Sequence, residues 1–467
     1  MSAGAVLPSS PDEVVDAVRN AYGTVAKEGA DRAYADTVAQ AFGYTAEQLQ
    51  SVPEDSHMGL SCGNPVATAS IREGENVIDL GSGGGVDVFL AAAKAGPTGQ
   101  VVGLDMSPDM IALARRNAAK RNLKPPRVSF VKTLLHERLP INSDSVDCVL
   151  SNCVINLLPT EGKANLLKEV YRVLKPGGRV VLDDIIAKKE FTETLRVNLQ
   201  AYVGCVSGAL QLHEYREIMQ NAGFQDAVFV DTKGDLNAYT QGDSIGCCAK
   251  PEPSTSCSVS SSCQPASCGP SSSCKPTSSG TSTQSTSTIA HQVADVNEWA
   301  ASYQIYATKQ ANASASDGDV VSTAVPVLES WKDAYPTPKS SPRQITAQEV
   351  AELLKSAPAD RRAHDFAVID VRRDDHAGGH VRGSYQRAAQ SFYDDLPEFL
   401  EKFKETNKVI FYCGSSSGRG PLCAAWYQDY LNEHGIGSSE ALVMAGGAKA
   451  WLAAFAGDEA LTDQEKA

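Results

Sequence analysis

The sequence predicts an α/β protein with two domains, a doubly wound sheet first and a smaller α/β domain near the end. Its 467 residues exceed what one hydrophobic core usually organises. Strand-like apolar runs alternate with helical ones in two separate series. Between them, a stretch rich in Ser, Thr, Pro and Cys holds too few apolar residues to offset the entropy of ordering. We therefore expect a disordered linker at 251–343.

The first series predicts a domain at 1–250 with a cofactor-binding core at about 70–185. It opens with an amphipathic helix at 11–27, whose apolar residues share one face. Further helices are predicted at 86–95, 108–121, 160–174 and 213–222. Strands are predicted at 76–80, 100–104, 128–131, 146–150 and 179–183.

The second series predicts a domain at 344–467. Its helices are expected at 346–355, 394–403, 420–434 and 446–454, and its strands at 366–371, 408–412 and 440–443. Within the linker, the segment that holds Trp299, Tyr303 and Tyr306 predicts a short docking helix.

Charge and cysteine content limit the possible functions. A net charge of −14 leaves no basic surplus for nucleic acid or anionic membranes. No segment approaches the length of a membrane span or has the pattern of a signal peptide. We expect a cytoplasmic monomer that acts on small molecules. Twelve cysteines in that compartment indicate thiol chemistry rather than a disulfide framework.

A glycine loop follows the first core strand. The run from Asp79 to Gly85, Asp-Leu-Gly-Ser-Gly-Gly-Gly, joins that strand to a helix. Its glycines permit a tight turn and close approach of a ligand to the backbone. Asp105 ends the next strand, where a carboxylate can accept both ribose hydroxyls.

With the Leu-Lys-Pro-Gly-Gly turn at 174–178, this loop resembles the class I methyltransferases. The resemblance implies S-adenosylmethionine as cofactor and a Rossmann-like sheet. Candidate cofactor residues are Asp79, Gly81, Gly83, Gly85, Asp105, Met106 and Asn152. The contacts of the adenine ring, expected after the third strand at 134–137, stay open.

Three cysteines lie at loop positions in the first domain. Cys153 follows the fourth strand, where ligands bind in open α/β sheets, so it can face the methyl group. Cys62 precedes the core, and Cys205 lies between glycines in an exposed-looking loop. Cys148 alternates within a strand and is expected to be a core residue.

These segments resemble the arsenite S-adenosylmethionine methyltransferases over about residues 10–250, most specifically in Ser-Asn-Cys-Val-Ile-Asn-Leu at 151–157. The resemblance implies that residues 186–250 help to bind arsenic. It also implies As(III) bound by Cys153 and Cys205, with Cys62 in binding or disulfide formation. Thiolates suit a soft centre, whose lone pair can attack the sulfonium methyl directly.

Methylation oxidises arsenic, so a thiol reductant, glutathione or the thioredoxin system, is expected to restore As(III). Many members of that family have a further cysteine upstream of the position of Cys62, and this chain has none. Which thiol resolves the disulfide therefore stays open. The linker cysteines, Cys257, Cys263, Cys268 and Cys274, are spaced poorly for zinc. They are either an arsenite tether or incidental.

The second domain resembles the rhodanese-like family through Val368–Arg372, Gly379–Ser384 and the strand that leads into Cys413. Five residues separate Cys413 from Arg419. This loop length is typical of the cell-cycle dual-specificity phosphatases and the related arsenate reductases. Such a loop forms an anion cradle from backbone N–H groups, to which Arg419 adds a bidentate charge. Cys423 is expected in the core.

Together the two domains predict an enzyme of arsenic detoxification. Cys413 and Arg419 would reduce arsenate, and the first domain would methylate the resulting arsenite or thiol–arsenic conjugates. One alternative is a methyltransferase of another small molecule fused to a sulfurtransferase or phosphatase. The other is a non-catalytic, thiol-rich arsenic-binding protein.

Overall fold

The structure is a computed structural model that describes residues 6–240, 295–311, 327–328, 331–356, 362–372 and 378–463. The two predicted series form two separate sheets, so the predicted α/β fold class is confirmed. Cys247, Cys248 and the four cysteines of the predicted linker lie outside the described residues. None of the described helices combines the length and apolar character needed to cross a membrane.

The first sheet has seven strands in the order β3-β2-β1-β4-β5-β7-β6. They are β1 (Asn76–Leu80), β2 (Gln100–Asp105), β3 (Val128–Lys132), β4 (Val146–Asn152), β5 (Leu174–Ala187), β6 (Val228–Asp231) and β7 (Ala300–Thr308). β1 to β5 are parallel, and β7 runs antiparallel between β5 and β6. β1 and β4 are mostly buried apolar runs, as expected of strands covered on both faces.

Ten helices of the described residues accompany this sheet. They are α1 (Pro11–Glu28), α2 (Arg32–Ala41), α3 (Ala46–Ser51), α4 (Pro65–Thr68), α5 (Val86–Ala95), α6 (Pro108–Lys120), α7 (Thr160–Val173), α8 (Glu193–Arg196), α9 (Leu199–Val203) and α10 (Leu212–Ala222). α1 begins at Pro11 because the Ser10 side chain accepts the Glu13 N–H and proline suits the first helical turn.

The segment at 300–308 corrects the predicted linker. It is strand β7, paired with β5 from Ala300 to Thr308, and not the docking helix predicted there. The alternation of buried Ile305 and Ala307 with exposed Tyr306 and Thr308 is that of a strand with one buried face. The first domain therefore does not end at residue 250, because its sheet is completed from beyond the cysteine-rich stretch.

The two ends of the stretch at 241–294 are fixed side by side. Asn237 Nδ2 donates to Asp295 Oδ1 at 2.9 Å, and Asn297 Nδ2 donates to Asp235 Oδ1 at 2.6 Å. The Val296 N–H returns a bond to Asn237 Oδ1 at 3.1 Å. In chain order, the cysteine-rich stretch is therefore an insertion between β6 and β7 of the first domain.

The second domain contains a parallel five-stranded sheet in the order β11-β9-β12-β13-β8, with β10 and β14 paired separately. The strands are β8 (Gln344–Ile345), β9 (Phe366–Asp370), β10 (His380–Val381), β11 (Tyr385–Gln386), β12 (Lys408–Tyr412), β13 (Glu440–Met444) and β14 (Thr462–Asp463). The helices are α11 (Ala347–Ser356), α12 (Arg362–Asp365), α13 (Ala389–Phe392), α14 (Leu396–Phe403), α15 (Arg419–Glu433) and α16 (Gly447–Phe455).

Arg115 on α6 joins the two domains. Its guanidinium donates to Phe130 O at 2.7 Å and also to Ala334 O. It lies 4.8 Å from the ring centre of Tyr335 and 3.7 Å from the Asp394 carboxylate. The Tyr335 hydroxyl donates to Asp394 Oδ2 at 2.8 Å, so one arginine connects the cofactor-side helix to the second domain.

We expect Ile305→Ala to lower the free energy of unfolding by about 2–5 kcal/mol, because Ile305 is fully buried in the sheet. Thr308→Ala, at an exposed position of the same strand, should cost less than about 0.5 kcal/mol. Urea unfolding followed by circular dichroism measures both. Equal, small effects would mean that 300–308 behaves as a linker.

Candidate active sites

A cleft opens at the carboxyl ends of β1, β2 and β4, with about 970 Å³ of empty space. The glycine loop after β1 forms its floor, and Gly83 N–H donates to Asp105 Oδ2 at 2.9 Å. Gly81 has φ 69°, and a Cβ there would lie 2.4 Å from Val154. Glycine is therefore required where the loops after β1 and β4 meet.

All predicted cofactor residues except Gly85 line this cleft: Asp79, Gly81, Gly83, Asp105, Met106 and Asn152. Gly85 instead precedes α5 with φ 98°, where a Cβ would lie 2.8 Å from the Phe89 ring. Leu135 and His136, which follow β3, also line the cleft. They are candidate neighbours of an adenine ring.

Buried carboxyl groups line the cleft, and each would gain from a cationic ligand beside it. Burial, with repulsion from Asp87 and Asp105, raises the pKa of Asp79 well above its usual range. Burial also raises the pKa of Asp87 to about 6, although hydrogen bonds from Tyr44 and Asn152 oppose the shift. Because S-adenosylmethionine carries a sulfonium and an ammonium group, this donor set fits it. Sequence reasoning missed Asp87, which lies inside a helix and outside the loop motif.

Asn152 connects the cleft to the first cysteine. Its Oδ1 accepts the Cys62 N–H at 3.0 Å, and its Nδ2 donates to Gly63 O at 2.9 Å. The same Nδ2 group contacts the Tyr44 hydroxyl at 2.9 Å and Asp87 Oδ2 at 3.3 Å. Asn152 thus ties the segment that carries Cys62 to the end of β4.

The three predicted arsenic-site cysteines converge. Cys62 Sγ, Cys153 Sγ and a carboxylate oxygen of Asp184 all lie within 4.8 Å of one another. Cys205 Sγ donates to Cys153 O at 2.8 Å, and Cys62 Sγ donates to Asp183 O at 3.3 Å. Cys153 also lines the cofactor cleft. The prediction that Cys205 is exposed is wrong. The loop that carries Cys205 folds inward and leaves this residue 2% exposed.

Two of these cysteines have a left-handed backbone. Cys153 has φ 60° and Cys205 has φ 62°. Non-glycine residues seldom adopt this conformation, which costs about 1–3 kcal/mol and concentrates at functional sites. This strained conformation occurs in two separate loops that face each other. The backbone strain therefore supports a function for both thiols.

The thiols are protonated in this pocket. Burial raises the pKa of Cys62 to about 12 and that of Cys153 well above its usual range. The pKa of Cys205 is also raised well above its usual range, by a hydrogen bond with Cys153 and by burial. A bound centre must therefore displace three protons.

A polar network beneath the thiols fixes the two loops. Asn156 Nδ2 donates to Asp184 Oδ1 at 2.8 Å and to Cys205 O at 3.3 Å. Lys163 Nζ donates to Ile155 O and to Gly208 O, each at 3.0 Å. Lys163 is 3% exposed, and its buried charge is unusual for a position on an otherwise amphipathic helix. This lysine on α7 was the sequence signal for the polar network, and the sequence analysis missed it.

In the second domain, Cys413 follows β12, as predicted, and Arg419 begins α15, one residue before the predicted start of this helix. The first N–H groups of α16 bind the loop's outer carbonyls: Ala448 N–H donates to Cys413 O at 2.8 Å, and Lys449 N–H donates to Gly414 O at 3.0 Å. Ser416 has φ 51°, and its hydroxyl accepts the Cys413 N–H at 3.4 Å.

A lysine from outside this domain's core approaches the loop. Lys332 Nζ lies 4.0 Å from the position that a Cβ on Gly418 would take. Cys423 is fully buried, as expected for a core residue. Asp370 accepts three bonds from the Arg372 guanidinium, which also donates to Gly379 O at 3.0 Å, so this pair orders a neighbouring loop.

Comparison with known families identifies the two domains. Residues 71–223 match the family model described as "Methyltransferase domain", and residues 346–454 match "Rhodanese-like domain". The chain joins a methyltransferase domain to a rhodanese-like domain.

Three relatives represent the two domains. The "Arsenite methyltransferase" of Halobacterium salinarum is 40% identical over 198 residues, covering 42% of this chain and 49% of the relative. That of Mus musculus is 36% identical over 227 residues, covering 46% and 58%. "Arsenate reductase 2.1" of Oryza sativa subsp. japonica is 32% identical over 112 residues, covering 23% and 68%. The chain thus spans about half the length of the first of these arsenite methyltransferases.

We expect the affinity of the methyltransferase domain for S-adenosylmethionine to fall about tenfold between pH 7.5 and pH 5. Asp87 has a raised pKa of about 6, so it is ionised above that pH and loses its charge below it. Isothermal titration calorimetry across this range measures the change. Asp87→Asn should flatten the profile, and an equally steep profile in that variant would assign the titration elsewhere.

Proposed function

We propose that the methyltransferase domain transfers a methyl group from S-adenosylmethionine to thiol-bound As(III), and that the rhodanese-like domain reduces arsenate to supply it. One observation carries the first half: the buried sulfurs of Cys62 and Cys153 lie within 4.8 Å of each other, Cys205 Sγ donates to Cys153 O, and Cys153 also lines the cofactor cleft. The curated relatives of the two domains are named arsenite methyltransferases and arsenate reductases, respectively.

The charge balance of the pocket supports a trivalent substrate. Arsenite enters as neutral As(OH)₃, and each thiol proton leaves with one hydroxide as water. Three thiolates on As(III) form a neutral group, which an apolar pocket can bury at little cost. Protonated cysteines are therefore the appropriate resting state for Cys62, Cys153 and Cys205.

Bound S-adenosylmethionine supplies an electrophilic methyl group on a sulfonium centre. Cys153 would hold arsenic at the boundary between pocket and cleft, with the arsenic lone pair directed at that methyl group. Asp79 and Asp87 would stabilise the cationic cofactor. Asn152, which bonds to both Asp87 and the Cys62 backbone, would fix the position of the cofactor cleft relative to the thiols. No general base is required, because the lone pair itself is the nucleophile.

Methyl transfer raises arsenic formally to the pentavalent state. Two of its thiolates can then leave as a disulfide, which returns two electrons to arsenic, and water adds to the resulting cationic As(III) centre with loss of a proton. The sulfurs of Cys62 and Cys153 lie within 4.8 Å of each other, which favours disulfide formation between thiols of this trio. Glutathione or a thioredoxin system would reduce that disulfide and reset the site.

In the rhodanese-like domain, Cys413 would attack arsenate held by backbone N–H groups and Arg419. Attack forms an S–As bond and releases water after protonation. A second thiol then attacks the Cys413 sulfur, giving a disulfide and leaving the electron pair on arsenic as As(III). Lys332 adds a cation on the outer side of the loop, as a tetrahedral oxyanion would favour.

Cys153→Ala should reduce methylation of arsenite by at least about 10³-fold, because it removes an arsenic ligand beside the methyl donor. Cys148→Ala is the matched control, since it removes a fully buried thiol from β4, the strand that leads into Cys153, and should retain activity. Chromatographic separation of arsenic species after incubation with S-adenosylmethionine and glutathione measures both. Undiminished product from Cys153→Ala would rule out the arsenic site.

Cys413→Ala should abolish the use of arsenate while leaving arsenite methylation within about twofold of wild type, because the two sites are separate. Cys423→Ala, in the helix that follows, should retain both activities. The same assay, started from arsenate or from arsenite, measures each step. Thiocyanate formation from thiosulfate and cyanide, or phosphatase turnover without arsenate reduction, would instead favour a sulfurtransferase or a phosphatase.

A further inference from the structure

A buried histidine lines the cofactor cleft, and one of its ring nitrogens lacks a hydrogen-bond partner among the described residues. The His57 side chain is 1% exposed and lies in the connection between α3 and α4. Its Nε2 is 2.7 Å from Asp36 Oδ1 on α2. Its Nδ1 is buried and has no hydrogen-bond partner among the residues that the structure describes. Because an unsatisfied buried nitrogen is costly, a ligand in the cleft is expected to satisfy it.

Asp36 determines what this nitrogen can do. Burial alone would raise the pKa of Asp36, but the His57 hydrogen bond and the charge of Arg32 hold it below its usual range. An ionised carboxylate only accepts hydrogen bonds, so Nε2 must carry the proton. In the neutral ring, Nδ1 then presents a lone pair and accepts a hydrogen bond. The missing partner of this tautomer is therefore an N–H or O–H donor, whereas Nδ1 of a protonated ring would need an acceptor.

The position of His57 indicates which end of the cofactor it would contact. A Cβ on Gly84 would lie 2.8 Å from Ser56 O, and one on Gly83 would lie 3.5 Å from Met58 Cε. The residues on both sides of His57 thus pack on the glycine loop. Asp105 at the end of β2 is suited to the ribose, and Cys153 after β4 marks the methyl end.

We propose that His57 Nδ1 accepts a hydrogen bond from the α-ammonium group of S-adenosylmethionine, so that the Asp36–His57 pair recognises the amino-acid end of the cofactor. The adenine amino group lies outside this region, since Leu135 and His136 extend the cleft from the far strand β3. The inference rests on the proposed methyl-transfer function.

The test compares two probes in the full-length chain by isothermal titration calorimetry. S-adenosylhomocysteine has the amino-acid end, whereas 5′-methylthioadenosine has the same adenosine and thioether without it. His57→Leu should weaken S-adenosylhomocysteine about tenfold or more and leave 5′-methylthioadenosine within about twofold. His136→Leu, the matched control in the same cleft, should weaken both probes alike.

Equal losses of the two probes in His57→Leu, or no loss of S-adenosylhomocysteine, would overturn the inference. Absence of S-adenosylhomocysteine binding in wild type would instead overturn the proposed function. A second measurement needs no variant. In wild-type protein labelled with ¹⁵N-histidine, S-adenosylhomocysteine should shift a neutral acceptor nitrogen that 5′-methylthioadenosine leaves in place, and equal spectra would contradict the proposal.

Discussion

The Asn152 carboxamide is the connection on which the geometry of the proposed methyl transfer depends. It bonds the backbone of Cys62 and Gly63 on one side and Tyr44 and Asp87 on the other. It also directly precedes Cys153, whose N–H donates to Asp183 O at 2.8 Å. A single residue at the end of β4 therefore relates the thiol pocket to the cofactor cleft. Small displacements here would matter, because methyl transfer requires close alignment of nucleophile and methyl group.

Sequence periodicity predicted the elements that have their own pattern. The helix at 86–95 and the strands at 76–80 and 408–412 have their predicted bounds, because turn residues delimit strongly apolar runs. Strand β7 was misassigned, since its polar Ser302 and Gln304 interrupt the apolar run, and its two partners precede the cysteine-rich stretch. Only long-range pairing identifies it as a strand.

The candidate site likewise contains residues that sequence motifs indicate and residues that only the structure reveals. Cys62, Cys153 and Cys205 could be selected from their motifs, but their burial could not, nor could the left-handed backbone of Cys153 and Cys205, because these follow from loops folding against each other. Asp87, Lys163 and His57 belong to no motif in the sequence. Each acquires a possible role only when tertiary structure buries it beside a cleft or loop. Motifs in the sequence thus select candidate thiols, whereas the groups packed around them emerge only from the tertiary structure.

The two cysteine sites have opposite electrostatics, and this difference bears on how they could work in succession. Cys413 lies in a loop flanked by Arg419 and approached by Lys332, which suits an oxyanion. Cys153 lies in a pocket that disfavours charge and keeps its thiols protonated. On the proposed function, arsenate reaches the first site as an anion and leaves as neutral arsenite. Reduction would thereby remove the charge that holds the substrate at Cys413 and give it the form that the thiol pocket accepts, so direction follows from charge without requiring a channel.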